Sequence, residues 1–443
     1  MTSLTYAPWP FRSFAARSPE ETESWWTTCY LPSEASRILA GWPHWRIIAG
    51  RPGSGKSTAL AEVERREAAR SLIVHYSVER WPGGRLVFSE DANHLAQMMA
   101  CAAITIRDYL SNHPQQITQL SSAQHTFVRW LLGKFVDSRA FSRWIDGLSP
   151  DMTERLQSVS YQEVYKTTTA QRDVRGQIDE LAQLTRRLGF PRVLITCALN
   201  AREAQAQKEN LKQLFSNLEL MHDAGLSLSV ALPDEVVKHI ELSKRASDRI
   251  NVMFLDWTIE QVRDIATRSM RAALQDTQIR FEDYMTWQLL KPLEDRLQSE
   301  FGGIVPQGWV MLAETLLYLT TRHDQPLSPR LGVRDLGEII QALFSRHIRL
   351  ELGKNGVWRG SKFIPLDPQP FEFAKILWAK SGEPIHADDP DLHDLAPNSN
   401  YVPTLAKRVR EAIEPEDSPT PIYLRHKRGE GGYWLENVVF SQD

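Results

Sequence analysis

The sequence predicts an α/β protein: a parallel-sheet core with helical insertions, a helical lid, and a small C-terminal domain of short strands and helices. Three observations predict it. The apolar run His44-Trp45-Arg46-Ile47-Ile48-Ala49 ends in a glycine-rich turn, and Ser57 to Arg70 then continues with helix formers and no breaker. Four more apolar, β-rich runs recur with long helical stretches between them, which is the rhythm of βαβ units rather than hairpins. After residue 347 the pattern changes to short strands around an Asn355-Gly356 turn, joined by two compact helices.

In chain order, residues 1–43 are rich in Pro, Ser and aromatics and read as a lead-in. Residues 44–257 form the core, with strands at His44–Ala49, Ser71–Ser77, Arg192–Cys197, Leu226–Leu232 and Ile250–Leu255. Each is a short β-rich run in which apolar residues dominate. Between the second and third strands lies a long helical stretch, in which His94–Leu110 and Thr126–Phe135 stand out. Gly189-Phe190-Pro191 is a helix stop before the third strand. A helix is expected across Gln205–Met221, and Pro233 closes the fourth strand. Residues 258–346 read as a helical lid or linker, punctuated by Gly302-Gly303 and Pro326. Residues 347–443 open with a meander of His347–Leu352, Val357–Arg359 and Lys362–Leu366. A helix at Pro370–Ala379, an acidic loop at Asp388–Asp394 and a helix at Tyr401–Ile413 follow. Ile422–Lys427, a turn at Gly429-Glu430-Gly431-Gly432 and Tyr433–Val438 end the chain.

Composition narrows the class of function. A chain of 443 residues, 42% hydrophobic and 24% charged, fits two or three soluble globular domains. Its three cysteines, Cys29, Cys101 and Cys197, are far apart and form no CxxC pair. That argues for a reducing, cytoplasmic setting and against a disulfide framework or a zinc site. Met1 to Arg12 lacks the apolar core of a signal peptide. No stretch of about 18 apolar residues occurs to span a membrane. A net charge of −3 gives no global pull toward nucleic acid, so any such binding must come from a local patch.

The sharpest motif is Gly50-Arg51-Pro52-Gly53-Ser54-Gly55-Lys56-Ser57, which completes the pattern G-x-x-x-x-G-K-[ST]. A chance match in a chain this long has odds of roughly one or two in a hundred, and the strand before and helix after it lower them further. Phosphate binding needs this arrangement. Glycines let backbone N–H groups turn inward, and the N-terminus of the following helix faces the anion. Gly50 through Thr58 are therefore the expected ATP-binding residues. Lys56 is placed to neutralise the β- and γ-oxygens, and Ser57 to hold Mg²⁺.

Hydrolysis needs more: an acid at the end of a second strand to order the metal's water shell, and a group that aligns the attacking water. The best candidate strand, Val193–Thr196, runs into Cys197-Ala198-Leu199-Asn200-Ala201-Arg202-Glu203 with no carboxylate at its end. Glu203 is the nearest acid downstream, while Asp179 and Glu180 lie upstream on an expected helix. Asn200 and Glu203 are the catalytic candidates, and slow or absent turnover is expected.

The lead-in Tyr30-Leu31-Pro32 with Trp45-Arg46-Ile47-Ile48-Ala49-Gly50 resembles the entry to bacterial STAND-type and related AAA-like ATPases. So does the stretch from Leu232-Pro233 through Ser247-Asp248-Arg249-Ile250 to Leu255-Asp256-Trp257. The resemblance covers about residues 28–275. It implies a P-loop NTPase that switches with bound nucleotide, with Arg249 as a γ-phosphate or interface sensor. The family's acidic pair falls on Cys197 and Asn200, a departure that implies a degenerate site for hydrolysis.

Residues 347–438 resemble the OmpR-type winged helix of response regulators. The meander carries the resemblance, with Pro365-Leu366-x-Pro-x-x-Phe371-Glu372 opening the first helix. Val402–Val409 stands as recognition helix and Arg428-Gly429-Glu430-Gly431-Gly432-Tyr433 as a wing with one extra glycine. From Lys354 to Asp443 there are 11 Lys and Arg against 14 Asp and Glu, a net of −3. The positives are nonetheless concentrated at Lys407, Arg408 and Arg410 on the helix and Arg425, Lys427 and Arg428 on the wing, the elements this fold offers to DNA. By its spacing, Lys407 and Arg410 share one face, with Arg408 turned aside. The resemblance implies an ATP-controlled regulator or defence-type switch with a DNA-binding winged helix. An ATP-dependent oligomerising scaffold that uses the winged helix for protein contacts, and an origin-recognition-like DNA loader, share the layout.

Overall fold

The structure is a computed structural model that describes residues 11, 19–39, 45–87, 93–157, 174–216, 226–239, 250–321, 330–396, 399–427 and 432–439. The chain divides into two compact units. An α/β unit comprises Pro32–Gly50 and Gly55–Leu255. A second unit comprises Met1–Leu31, Arg51–Ser54 and Asp256–Asp443. Among the described residues no helix is long and apolar enough to cross a membrane.

The second unit begins with α1 (Pro19–Thr28), and the α/β unit with α2 (Glu34–Leu39). In the α/β unit, β1 (Trp45–Gly50), α3 (Lys56–Glu67) and β2 (Ser71–His75) are followed by a helical insertion. It consists of α4 (His94–Asn112), α5 (Ser122–Phe135), α6 (Ser138–Asp146), α7 (Pro150–Gln157) and α8 (Val174–Arg187). Then come β3 (Arg192–Ala198), α9 (Ala201–Ala206), α10 (Lys208–Ser216), β4 (Leu226–Pro233), α11 (Asp234–His239) and β5 (Ile250–Phe254). The five strands lie in the order β2-β3-β4-β1-β5, and every pairing is parallel. The sequence expected one helix over Gln205–Met221. The structure breaks it at Gln207 into α9 and α10, and residues 217–225 lie outside the described ones.

Both sheet faces are covered, which is why the strands read as continuous apolar runs. Ile48 and Leu194 pack on one face against Ala35, Leu39, Leu60 and Val63 of α2 and α3. Trp45, Ile47, Val193 and Ile195 pack on the other with residues of α4, α5 and α8. One charged group is built into this core. Arg46, 1% exposed, donates to Glu67 Oε1 at 2.8 Å and so ties β1 to the far end of α3.

The second unit continues with four helices: α12 (Ile259–Leu274), α13 (Trp287–Phe301), α14 (Pro306–Thr321) and α15 (Leu336–His347). Strands β6 (Leu350–Gly353), β7 (Gly356–Arg359) and β8 (Lys362–Pro365) form the expected antiparallel meander. After α16 (Pro368–Ala379), β9 (Ile385–His386) and α17 (Val402–Ile413), the chain ends in β10 (Leu424–His426), β11 (Gly432–Leu435) and β12 (Val438–Val439). Strands β10, β11 and β9 make a separate antiparallel sheet, while β12 returns to pair in parallel with β6. The sequence reading gave His347 to the first strand. In the structure it ends α15, with Nδ1 3.7 Å from Glu314, and burial pushes its imidazole down to about 4.

Residues 258–346 and 347–443 share one hydrophobic cluster, running from Val262, Leu289 and Trp309 to Phe373, Val402 and Tyr433. A buried ion pair fastens them together. Arg359 on β7 donates to both Glu300 oxygens on α13, at 2.9 and 2.5 Å, and to the Ile413 carbonyl at the end of α17. Its side chain is 7% exposed and that of Glu300 is 5%. Removing one partner leaves the other charge buried and unpaired, so Glu300→Ala should lose about 3–5 kcal/mol of stability. Glu300→Leu combined with Arg359→Met should regain most of it, because no bare charge remains. Urea unfolding followed by tryptophan fluorescence checks both, and a loss under about 1 kcal/mol in the single variant would contradict the burial.

Candidate functional site

The parallel ladder sets the site's position. Gly50 ends β1 level with Pro233 of β4, and Ile48 is level with Ala231, which in turn faces Ala198 of β3. The carboxyl ends of β1, β4 and β3 therefore finish in one row, at the edge where ligands bind in such sheets. β1 lies between β4 and β5, while β2 is at the far edge, so the chain leaves β1 toward that edge and leaves β4 the other way, to β5. A glycine-rich loop follows β1 there, between a buried strand and a helix.

Within the α/β unit, Gly55 at φ +89° takes a left-handed turn that a side chain resists, and α3 starts at the next residue. Gly55 offers no side-chain oxygen to cap the helix. The N–H groups of the first turn of α3 are thus left to face an anion. By contrast α4, α5, α9 and α12 each carry a side-chain cap. Lys56 Nζ donates to the Gly50 carbonyl at 2.9 Å, folding its charge back over the start of the loop. Burial pushes its ammonium down to about 8, and the Asp234 carboxylate pulls the other way. Ser57 is exposed on the first turn and Thr58 half-buried beside it.

The remaining loop residues, Arg51–Ser54, belong to the second unit and are held by it. Arg51 donates to the Gly302 carbonyl, and its guanidinium lies against Gly303 so closely that a Cβ there would collide with it. Gln307 N donates to the Gly53 carbonyl at 3.2 Å, and Trp257 Nε1 to the Ser54 carbonyl at 2.8 Å. Pro52 is half-buried. Gly53 has φ +76°, and a Cβ on it would meet Gln307 Oε1 at 2.7 Å. Ser54, 1% exposed, has a buried hydroxyl without a hydrogen-bond partner. Within the α/β unit, left-handed Gly55, an uncapped helix start and Lys56 are donors of the kind that a triphosphate takes, so the residues present there fit one. Ser57 is the hydroxyl that would hold Mg²⁺. Among the described residues no cluster of His, Cys, Asp or Glu could hold a metal by itself.

The catalytic candidates have other partners. Asn200 accepts from Glu203 N at 2.9 Å, while Glu203 Oε2 accepts from Asn200 N at 2.8 Å. The two residues form a reciprocal cap on α9. Arg249 lies outside the described residues. Sequence reading missed Asp234, which follows Pro233 directly. It is the carboxylate that acts on Lys56.

At the C-terminal candidates, Lys407 and Arg408 are both exposed on α17, and Lys407 Nζ lies 3.7 Å from Glu411. Arg410 corrects the expected face. It is half-buried and donates to the Leu424 carbonyl at 3.3 Å. The apolar stripe Val402, Leu405, Ala406, Val409 and Ile413 faces inward, and Arg410 is one turn from both Ala406 and Ile413. Arg425 is ion-paired with Glu436 across the terminal hairpin. Lys427 is exposed, and Arg428 lies outside the described residues.

No family model and no curated protein matches the chain. Among solved structures it matches the Thermotoga maritima RuvB Holliday junction branch migration motor over 96% of each chain, with 12% identity and a TM-score of 0.28. That likeness is too low to bear on fold or function. The P-loop reading of the core rests on the strand order and the loop.

If Glu203 serves the cap alone, Glu203→Gln keeps an oxygen acceptor and should cost little. Asn200→Ala should cost about 1 kcal/mol through the lost cap. Thermal unfolding measures both, and nucleotide turnover is followed in parallel. Loss of turnover in Glu203→Gln at unchanged stability would restore Glu203 to a catalytic role.

Proposed function

We propose that the chain is an ATP-binding molecular switch of reducing, cytoplasmic surroundings. In this reading Gly50–Thr58 hold the triphosphate, Lys56 meets the β- and γ-oxygens, and Ser57 holds Mg²⁺. The observation that carries it is the uncapped start of α3 behind left-handed Gly55, with Lys56 turned onto the Gly50 carbonyl. Binding needs only that Lys56 swing from a carbonyl to a phosphate, a stronger acceptor. Mg²⁺, when bound, would be held by Ser57 and would supply neutralisation of the phosphate charge. Hydrolysis is slow, because β3 ends without an acid and Asn200 and Glu203 cap α9. Lys56→Ala should abolish the thermal stabilisation that Mg-ATP gives the wild type, and wild-type turnover should fall well below the usual range of about 1–10 per second. Equal stabilisation of both proteins would end the assignment.

The C-terminal elements from β6 to β12 support a winged helix, with α17 as recognition helix and the β10–β11 hairpin as wing. Lys407, Arg408 and Lys427 are then the phosphate contacts. A second reading has specific support too. Arg410 and Arg425 are engaged within the protein, which favours a scaffold whose winged helix meets another protein. Three phosphate contacts give a log–log salt slope for duplex DNA of about −2.7 in the full-length chain, and Lys407→Ala with Arg408→Ala should flatten it by about 1.8. Fluorescence anisotropy over a salt series reads the slope. No binding to duplex DNA at about 50 mM salt, where electrostatic binding is strong, would favour the scaffold.

A further inference from the structure

We infer that Asp234, at the end of β4, supplies the carboxylate that P-loop chemistry ordinarily places at the end of the acidic strand, and holds the water shell of a divalent cation bound with the nucleotide. The inference rests on the ATP-binding reading and names the residue that completes it. Strand β3 cannot supply the group. Its last residue is Ala198, Leu199 follows, and the next polar residues, Asn200 and Glu203, bond each other's backbone. Strand β4 lies between β3 and β1, one place nearer the loop. Its register pairs Pro233 with Gly50, so Asp234 stands one residue beyond the loop's first glycine on the adjacent strand.

Two further observations fit a metal-facing role. Asp234 opens α11 directly at the carboxyl end of β4, the same end of the sheet at which the loop leaves β1. Its carboxylate pairs with Lys238, one turn along α11 at 3.5 Å and 68% exposed, a weak surface pair that a cation displaces readily. Lys56 and Ser57 open α3; there Ser57 would supply the cation's protein oxygen and Asp234 an acceptor for its water shell. A carboxylate in that second layer fixes the cation without touching it.

The alternative is that Asp234 is only a counter-ion to Lys56, and the two roles differ in metal dependence. The full-length protein and Asp234→Asn are titrated with ATP in EDTA, and their ATP complexes with Mn²⁺, its free form followed by electron paramagnetic resonance. Outer-layer partners of a metal typically contribute 10–100-fold in affinity, so Asp234→Asn should weaken Mn²⁺ binding to the ATP complex by that factor. Its metal-free ATP affinity should rise, since a negative charge beside the triphosphate is gone. Asp234→Ser, a residue well suited to a helix start, should behave alike and guards against a folding defect. Equal Mn²⁺ affinity in wild type and both variants overturns the inference and leaves Asp234 a counter-ion. A wild type that binds no ATP in EDTA or with Mn²⁺ overturns the ATP reading itself.

Discussion

The parallel pairing of β1 with β4 is the constraint on which the site depends. Five consecutive residue pairs, Arg46 with Ser229 through Gly50 with Pro233, fix where the central strand stops. β1 is buried along its whole length and paired on both sides, so its last residue has no freedom to slide. A one-residue slip would turn Ile47 and Ile48 to the wrong faces and unmake both layers of core at once. The position of Asp234, one residue past Pro233, inherits that rigidity. The Arg46–Glu67 pair extends it to the far end of α3, so strand and helix are held to one another. Electrostatic recognition of phosphate gains from such preorganisation, because little rearrangement opposes binding.

A second constraint operates where the helices meet the C-terminal strands. Arg359 makes three hydrogen bonds to two partners, Glu300 on α13 and the last residue of α17. The carboxylate of Glu414, one residue on, accepts from the N–H groups of Ile422, Tyr423 and Leu424. The end of α17 is thereby moored both to α13 and to the start of the terminal hairpin. Any shift of α13 must carry α17 with it, since a buried pair of this kind cannot be stretched without baring a charge. Coupling between the helical segment and a surface on α17 then needs no flexible linker.

What the sequence made legible follows from how local each signal is. The P-loop is contiguous, and the five strands announce themselves as apolar runs because helices cover both faces of the sheet. Asp234 was hidden because its meaning depends on β4 lying beside β1, a neighbour relation that the order of strands along the chain does not reveal. The role of Asn200 and Glu203 was readable: Asn-x-x-Glu at the end of a strand is a helix-start signature. Arg410 was misplaced for a geometric reason. Three- and four-residue spacing puts it with Lys407, but it also puts it with Ala406 and Ile413, and the buried stripe decides.

These placements bear on the proposed nucleotide site. A site that binds and one that hydrolyses differ by groups whose charge must be free at the moment of reaction. Here Glu203 accepts a backbone N–H and Asn200 returns the bond, so both are committed to holding α9 in place. Releasing Glu203 to align a water would uncap that helix and cost about 1 kcal/mol before any chemistry began. Among the described residues Asp234 pairs with Lys238 on the surface. In the proposed reading one carboxylate orients a cation and tightens binding, while a second, needed to activate water, is tied elsewhere. That division favours a long-lived bound state, which is what a switch requires and a rapid motor does not.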